Sequence, residues 1–389
     1  MWSTRLLFTL FVAVLPFLVG KAQQSTRRIC DTIHYEFVQD KIIIPVTVNG
    51  VKVKYIVDTG GQTGTIREKA VEMKAIGGGG TRGVSDVNGM SLSYEEGVLN
   101  DVQLSPNYKL TQMKSIIFPP NGFFRDLGVA GILGSDAFAQ AVVTFDAREK
   151  IMVINYPYRP EGLKITEGVP FYPGSMNHPI VDVDFGGCVK RVLFDTGAGG
   201  LLSLSADDYE EVRDSMKNHL LGSAFGINSI GIGGFDYKNA TEIDKVSLDH
   251  VNFVGKEFIN MESITVKMGM SLMGVEMLKY GKVVIDYMRN RFYFFPYEDQ
   301  VEDLAGKVKN WNVGILPVTD RFEITTVWDS MKDQVALGDQ VIRVNGKELS
   351  ELKQSQLEID ALLESVEGET AEIVILKDGK EKKVEIRRE

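Results

Sequence analysis

The chain has 389 residues, of which 44% are hydrophobic and 25% are charged, and its formal net charge at pH 7 is −10. This length predicts two or three domains, and the composition is that of a globular protein. The negative charge disfavours nucleic acids and anionic membrane surfaces as partners, because both would repel the chain.

The N-terminus has the pattern of a secretory signal peptide. Arg5 precedes an apolar run over residues 6–19, and a small-x-small site follows at residues 20–22. A membrane anchor is the alternative, although the apolar run is short for a span. We therefore expect removal of residues 1–22, export to the periplasm or the extracellular space, and no membrane span in the mature protein.

Two cysteines remain in the mature chain, Cys30 and Cys188. An exported protein can join them in one disulfide, and two free thiols are the alternative.

The first half of the mature chain is predicted to consist of short strands and tight turns. Residues 42–48 are rich in β-branched side chains, Asn49-Gly50 is a strong hairpin signal, and the return strand 51–57 ends at Asp58. Further predicted elements are a helix over 67–76, strands over 90–94, 97–104 and 110–118, a short helix through 139 with Ser135 as its N-cap, and a hairpin of 142–146 with 151–154.

The same order of features returns in the second half. A strand over 179–185, a Gly186-Gly187 turn and a strand over 189–194 lead to Asp195, the counterpart of Asp58. Later features follow their first-half counterparts at nearly the same interval that separates the two aspartates. A shared order at a near-constant offset indicates an internal duplication, and many short strands with glycine-rich turns indicate a β-barrel-like lobe made twice.

The second half also contains elements without such clear counterparts. Ser205 is predicted to cap a helix over 206–221. Residues 156–168 and 297–310 are predicted linkers. The tail beyond them has its own strands and a predicted helix over 352–365.

Two pairs of motifs carry a resemblance to a known family. Each predicted lobe has an Asp-Thr-Gly, at residues 58–60 and 195–197, and a later apolar-apolar-Gly, at residues 132–134 and 272–274. On these motifs residues 34–296 resemble the aspartic peptidases, in the single-chain two-lobe arrangement of the pepsin-like enzymes. Each lobe taken alone is similar to the short bacterial retropepsin-like units. The tail resembles a bacterial PDZ domain through residues 337–346.

The resemblance implies an all-β fold of duplicated acid-protease-like β-barrel lobes with a few short helices, followed by a C-terminal α+β PDZ-like domain. The implied division is a signal peptide over 1–22, lobe 1 over 23–155, a linker over 156–168, lobe 2 over 169–296, a linker over 297–310 and the PDZ-like domain over 311–389. The apolar-apolar-Gly segments would pack behind the catalytic loops.

The resemblance also implies the catalytic residues, Asp58 and Asp195. Two carboxylates about 3 Å apart cannot both ionise, so such a pair shares one proton and titrates as a unit. One member can then act as general base and the other as general acid on a peptide bond, with no cofactor beyond water. Dyad support is assigned to the hydroxyls of Thr59 and Thr196, which bond across to the opposite loop in the family, and to Gly60 and Gly197, which allow close approach.

The sequence departs from the family directly after each motif. The family has a hydroxyl residue there that supports the outer carboxylate oxygen, whereas this chain continues Gly61-Gln62-Thr63 and Ala198-Gly199-Gly200. Gln62 and Thr63 are the candidates to replace that hydroxyl in the first lobe. Gly199 offers no side chain in the second.

Two further sites are predicted less directly. A glycine-rich flap that covers the substrate is predicted around Gly77, Gly78, Gly79 and Gly80 with Tyr94 beyond, and a disordered loop is the alternative. Residues 222–234 are the second-lobe candidate. In the tail, Val313, Gly314 and Ile315 are predicted to form the loop that holds a peptide carboxylate.

Other polar residues are expected to be structural. Asp146 and Asp286 each begin a hairpin, where aspartate is a turn former. The four histidines have no metal-ligand spacing, so no metal is expected.

These features predict an exported aspartic endopeptidase that takes a peptide or protein substrate. The PDZ-like domain would bind or position a peptide ligand. One chain supplies both carboxylates, so a monomer suffices. The alternative is a protease-fold scaffold that binds peptides but cleaves little or nothing, which the missing hydroxyls favour. A third hypothesis is that the tail docks in the cleft and regulates it.

Overall fold

The computed structural model describes residues 28–389 except 79, 86–90, 120–121, 175, 215–218, 228–234, 268, 308 and 354. The predicted signal peptide lies outside the described residues. Strands dominate and the helices are short, so the predicted all-β class is confirmed. The longest described helix has nine residues, and no described helix is both long and apolar enough to cross a bilayer.

The first lobe is built from a series of short strands with two short helices. Its elements are β1 (Ile29–His34), β2 (Glu36–Val38), β3 (Lys41–Val48), β4 (Val51–Asp58), β5 (Gly64–Ile66), α1 (Arg67–Glu72), β6 (Thr81–Ser85), β7 (Ser91–Gln103), β8 (Lys109–Phe118), α2 (Gly122–Asp126), β9 (Gly131–Gly134), β10 (Val142–Asp146) and β11 (Ile151–Tyr156).

The β3–β4 hairpin shows why this sequence folds locally as it does. Asn49 and Gly50 both have positive φ angles, +48° and +80°, as a two-residue hairpin turn that matches strand twist requires. The strands pair in register from Val48 opposite Val51, and β3 buries Ile42 and Ile44 in the core. The turn and the buried face together fix where the return strand ends.

The second lobe repeats this plan. Its elements are β12 (Val169–Pro170), β13 (Tyr172–Pro173), β14 (Pro179–Phe185), β15 (Cys188–Asp195), β16 (Leu202–Ser205), α3 (Ala206–Val212), β17 (His219–Gly226), β18 (Thr241–Leu248), β19 (Val251–Phe253), β20 (Lys256–Ile259), β21 (Met261–Val266), β22 (Ser271–Gly274), β23 (Gly281–Asp286) and β24 (Arg291–Pro296). The β14–β15 hairpin turns at Gly186 and Gly187, again with positive φ angles of +65° and +101°.

One sheet is shared between the lobes. Its strand order is β1-β11-β10-β23-β24-β12, and β10 pairs with β23 from Val142 opposite Asp286 to Phe145 opposite Val283. A single buried apolar cluster runs through both lobes and includes Leu133 and Phe194. The two lobes are therefore packed as one body, as a site at their junction requires.

Several predicted elements differ from the structure. The helix predicted over 206–221 is confined to α3 because residues from His219 onward pair with β18 instead, in a long-range contact that overrides local helix propensity. Ser205 does cap α3, since its Oγ accepts from the Asp208 N–H at 3.1 Å. The helix predicted over 67–76 ends at Glu72, and the strands predicted over 90–94 and 97–104 are the single strand β7. Cys30 and Cys188 are both free thiols.

The C-terminal module, residues 311–389, has a separate apolar cluster. The elements after the second lobe are β25 (Glu302–Asp303), β26 (Val313–Val318), β27 (Arg321–Trp328), β28 (Gln340–Val344), β29 (Lys347–Glu348), α4 (Gln356–Glu364), β30 (Thr370–Lys377) and β31 (Lys380–Arg387). Val313, Gly314 and Ile315 lie inside β26 and pair with β27, so the prediction of a loop there is wrong: the buried Val313 and Ile315 side chains fit a strand.

The module joins the second lobe by strand addition. β27 pairs antiparallel with β17, from Ala224 opposite Trp328 to Gly226 opposite Thr326. Gly226 has a φ of +153°, and a Cβ there would lie 2.2 Å from the carbonyl oxygen of Thr325. Helix α2 of the first lobe lies against α4 of the module. The module thus contacts both lobes.

Candidate active site

Two pairs of parallel strands position the predicted catalytic aspartates. β9 runs beside β4 with Asp58 opposite Gly134, and β22 runs beside β15 with Asp195 opposite Gly274. The apolar-apolar-Gly segments therefore lie directly beside the strands that end in aspartate. The glycine is needed because a Cβ at Gly134 or at Gly274 would lie 2.4 Å from a carbonyl oxygen of the loop that follows the aspartate.

The structure brings the two carboxyl groups together across the lobe interface, where they hydrogen-bond to each other. Each motif glycine faces the opposite carboxyl. A Cβ on Gly60 would lie 2.3 Å from Asp195 Cγ, and a Cβ on Gly197 would lie 2.4 Å from Asp58 Cγ. Any side chain at either glycine would occupy the space that the carboxyl pair now fills.

Backbone N–H groups hold the inner oxygen of each carboxyl. Gly60 N donates to Asp58 Oδ1 at 3.1 Å, and Gly197 N donates to Asp195 Oδ1 at 2.7 Å. Ala198 N approaches the same Asp195 oxygen at 3.3 Å. Donors that point at a carboxylate stabilise its charged form and fix its rotation.

The threonines of the two motifs form a symmetric cross-link beneath the carboxyls. Thr59 Oγ1 donates to Phe194 O at 2.6 Å and accepts from Thr196 N at 3.0 Å. Thr196 Oγ1 donates to Val57 O at 2.8 Å and accepts from Thr59 N at 3.1 Å. Both threonines are fully buried. These four bonds tie each catalytic loop to the strand that leads into the other.

The environment favours one shared proton in the carboxyl pair. Burial is the main cause that raises the pKa of Asp58 well above its ordinary value, and the charge of Asp195 and the bond between the carboxyls raise it further. The charge of Lys41 and the Gly61 N–H act in the opposite direction. Asp58 and Asp195 both keep part of their surface exposed, so water and a substrate can reach them. The pair can therefore supply a base and an acid at once.

Asp58→Asn should make the folded protein more stable at pH 7, because the pKa of Asp58 is higher in the folded chain than its unfolded value of 3.8. A raised folded pKa contributes stability that is complete below the unfolded pKa and is lost as the pH rises through the folded pKa. Asparagine carries no charge to bury. We expect Tm to rise by about 2–4 °C at pH 7, or about 1 kcal/mol, and to stay unchanged near pH 3.

Differential scanning calorimetry at the two pH values checks this expectation. Asp126→Asn is the matched control, because Asp126 is exposed at the end of α2 and its replacement should change Tm at neither pH. A lower Tm for Asp58→Asn at pH 7 would contradict the electrostatic argument.

Thr63 does not replace the missing hydroxyl beside Asp58. Its N–H and its Oγ1 both donate to Asp136 Oδ1 at 2.9 Å, and its Oγ1 accepts from Gly134 N at 3.1 Å. Thr63 thus fixes the loop after β9, and its predicted role at Asp58 is wrong. Gln62 lines a small pocket beside Arg82 and Thr63.

Ser135 also differs from its prediction. Gly134 occupies the N-cap position of the 3₁₀ helix Ser135–Phe138, and that helix begins at Ser135 itself. The Ser135 hydroxyl instead donates to Thr59 O at 2.7 Å and shares a hydrogen bond with Tyr287 Oη at 3.0 Å. The side chain therefore supports the catalytic loop from behind.

The predicted flap lies around β6, which pairs with β7, and residues 86–90 between these two strands lie outside the described residues. Gly77, Gly78 and Gly80 precede β6, and Gly79 is also outside the described residues. The Tyr94 ring meets the Phe118 ring edge-on with centroids 6.4 Å apart. Position 78 requires glycine, because a Cβ there would lie 2.8 Å from the carbonyl oxygen of Glu96. The flap role remains a prediction.

Sequence reasoning missed two basic residues beside the dyad, Lys41 and His178. Charge interactions link Lys41 to Asp58 and Asp195, and His178 to Asp195. The available signal was their spacing, because the interval from Lys41 to His178 equals the interval from Asp58 to Asp195.

Comparison with known proteins is consistent with this geometry. Residues 44–137, which include Asp58 and its neighbouring strand β9, match a family model described as an aspartyl protease. Among solved structures, the chain is similar to a retropepsin-like aspartic protease from Rickettsia conorii, with 21% sequence identity and a TM-score of 0.25 over 34% of this chain and 94% of that chain. A search of curated proteins found no match. The family match supports an aspartic protease fold for residues 44–137.

Proposed function

We propose that this protein is an exported aspartic endopeptidase, in which Asp58 and Asp195 activate a water molecule to hydrolyse peptide bonds. The observation that carries the proposal is the mirrored packing of the dyad. Each motif glycine leaves room only for the carboxyl of the opposite lobe, at 2.3 Å and 2.4 Å from where a Cβ would be. The close approach of the two carboxyl groups costs free energy through the raised pKa of Asp58, and groups with such perturbed pKa values cluster at functional sites.

The proposed reaction needs only the shared proton and water. The ionised carboxylate accepts a proton from the water as its oxygen attacks the peptide carbonyl carbon. The protonated carboxyl donates to the carbonyl oxygen, which gives a tetrahedral intermediate. The C–N bond then breaks as the nitrogen takes a proton from the dyad and one hydroxyl of the intermediate returns its proton to the dyad, leaving a carboxylic acid and an amine. The dyad ends with one proton, as it began.

The C-terminal module is proposed to bind or position a peptide. β26 pairs with β27 and also contacts α4. A strand beside a helix is the arrangement in which an extended peptide can add to a sheet, with its backbone supplying the affinity. Export is proposed from the predicted signal peptide alone.

Cleavage of a mixed peptide library by the mature chain, followed by mass spectrometry from acid to neutral pH, tests the proposal. We expect internal cleavage products from the unaltered protein and none from Asp58→Asn or Asp195→Asn. Cleavage that survives either substitution, or no cleavage by any form, would refute the enzyme assignment.

A peptide-binding scaffold is the second candidate, and a specific observation favours it. The Thr63 hydroxyl is committed to Asp136, and Gly199 has no side chain, so neither lobe uses these positions to support an outer carboxylate oxygen. Peptide retention measured by fluorescence polarisation, without product formation, would select this candidate.

A further inference from the structure

Lys41 and His178 occupy equivalent places in the duplicated lobes. Each lies at the start of the first strand of a catalytic hairpin. β3 begins at Lys41, and β14 begins one residue after His178. The paired hairpins share one register, with Ile43 opposite Ile56 in the first lobe and Ile180 opposite Leu193 in the second. Ile180 and Leu193 follow Ile43 and Ile56 by the same number of residues that separates His178 from Lys41. The two basic residues are therefore equivalent in the structure as well as in the sequence.

The residues before them have the same unusual backbone. Asp40 has a φ of +53° and Asn177 has a φ of +62°. Asparagine and aspartate tolerate this left-handed conformation better than other side chains. Each lobe therefore turns its chain sharply just before the basic residue.

His178 reaches the catalytic loop of the opposite lobe. Its Nε2 lies 3.2 Å from the carbonyl oxygen of Gly61, the residue after the first motif. A carbonyl only accepts, so the proton of a neutral His178 must lie on Nε2. The turn before it is closed by Gly174 N, which donates to His178 O at 3.2 Å. Half-buried and held in this way, the ring is fixed against Gly61.

Asp40, the residue before Lys41, makes the corresponding approach to the second-lobe loop. Asp40 Oδ2 lies 3.4 Å from the position that a Cβ on Gly199 would take. Burial lowers the pKa of Lys41, and the charges of Asp40, Asp195 and Asp58 oppose that shift. The charges of three carboxylates therefore act on the Lys41 ammonium group, and two of these carboxylates form the dyad.

We propose that Lys41 and His178 are a matched pair of positioning residues, each placed at the start of the first strand of a catalytic hairpin and each acting on the dyad at the lobe junction. This proposal rests on the proposed function, because it concerns what controls the ionisation of the proposed catalytic dyad. Lys41 supplies a positive charge that favours the ionised carboxylate. His178 holds the Gly61 carbonyl through a hydrogen bond. Together they take over the support that hydroxyls at positions 62 and 199 would otherwise give.

The charged surroundings define what each residue can do. Lys41 acts on both aspartates of the dyad through its charge, and His178 acts on Asp195. His178 in turn faces Asp136 and Asp195, which raise its pKa, while burial, the largest cause, lowers it. A neutral His178 therefore acts through its hydrogen bond, whereas Lys41 acts through its charge.

The pH dependence of kcat/KM tests the role of Lys41. Removing a cation disfavours the ionised carboxylate, so Lys41→Met and Lys41→Gln should both move the acid and the alkaline limb to higher pH. On the acid limb we expect rates about three- to tenfold lower than those of the unaltered enzyme. Lys41→Arg keeps the charge and should keep the profile. Superimposable profiles for all four proteins would overturn the proposal.

The role of His178 is tested by two substitutions of different chemistry. His178→Leu removes the donor to Gly61 and should lower kcat about tenfold with little change in KM. His178→Gln keeps an N–H donor and should recover most of that loss. Equal activity of both variants, whether high or low, would show that the Gly61 bond does not position the loop.

An experiment that needs no catalysis separates this proposal from the proposed function. Carbon-13 NMR of the full chain labelled at aspartate carboxyls follows the dyad titration directly. Lys41→Met should raise the titration midpoint, while Lys52→Met should not, because exposed Lys52 lies six residues before Asp58 on β4, or about 20 Å away. A raised midpoint without any peptide cleavage would refute the enzyme but keep the pairing. Cleavage with an unmoved midpoint would refute the pairing alone.

Discussion

Gly60→Ala and Gly197→Ala should each reduce peptide cleavage by about a hundredfold or more. The added methyl would lie 2.3 Å from Asp195 Cγ in the first variant and 2.4 Å from Asp58 Cγ in the second, so a carboxyl group must be displaced. The loops cannot yield easily, because the buried threonine cross-link holds both. A displacement of about 1 Å in a catalytic group is enough to cost about a hundredfold in rate.

Steady-state kinetics on one cleaved peptide measure this effect, and Gly269→Ala provides the control. A Cβ at Gly269 would meet nothing within 4 Å, so that variant should cleave normally. A Gly60→Ala enzyme with normal kcat would mean that the carboxyl pair is not the catalytic group.

Thr59→Val should destabilise the folded protein strongly, because each buried polar group that is left without a partner costs about 1–3 kcal/mol. Valine keeps the shape of threonine but loses the hydroxyl, so Phe194 O and Thr196 N both lose their partner. Thr196→Val should cost a similar amount for Val57 O and Thr59 N. The double variant should approach the whole stability of an ordinary domain, about 5–15 kcal/mol.

Urea unfolding midpoints measure these losses. Thr59→Ser is the matched control, because serine retains the hydroxyl and should lose only the contribution of one buried methyl group, about 0.5–1.5 kcal/mol. If valine and serine proved equally harmless, the cross-link would not stabilise the junction of the lobes.

Local chemistry explains what could be predicted from the sequence. The turns at Asn49-Gly50 and Gly186-Gly187 need residues that accept positive φ, and the strands beside them alternate visibly. The same logic applies to Asp146 and Asp286, whose carboxylates accept from the N–H three residues on, at 3.3 Å and 3.1 Å. These predictions of local turns agree with the structure.

Features that depend on distant partners could not be predicted in this way. Residues 219–221 have a helical composition in isolation but pair with β18. Ser135 looks like a helix cap, yet its hydroxyl bonds to Thr59 O, 76 residues earlier. Sequence proximity alone suggests a place for Thr63 beside Asp58. In the structure its hydroxyl donates instead to Asp136, which follows β9. The equivalence of Lys41 and His178 is recognised only when the two lobes are superimposed.

The pairing of β17 with β27 means that the sheet of the second lobe depends on a strand from the end of the chain. β17 pairs on one edge with β18, which follows it closely in the chain, and on its other edge with residues 326–328, which are made about a hundred residues later. Until then that edge is an open template for wrong partners, beside the exposed side chains of Leu220, Leu221 and Phe225. The sheet of the second lobe can therefore gain this strand only when the C-terminal module has been made.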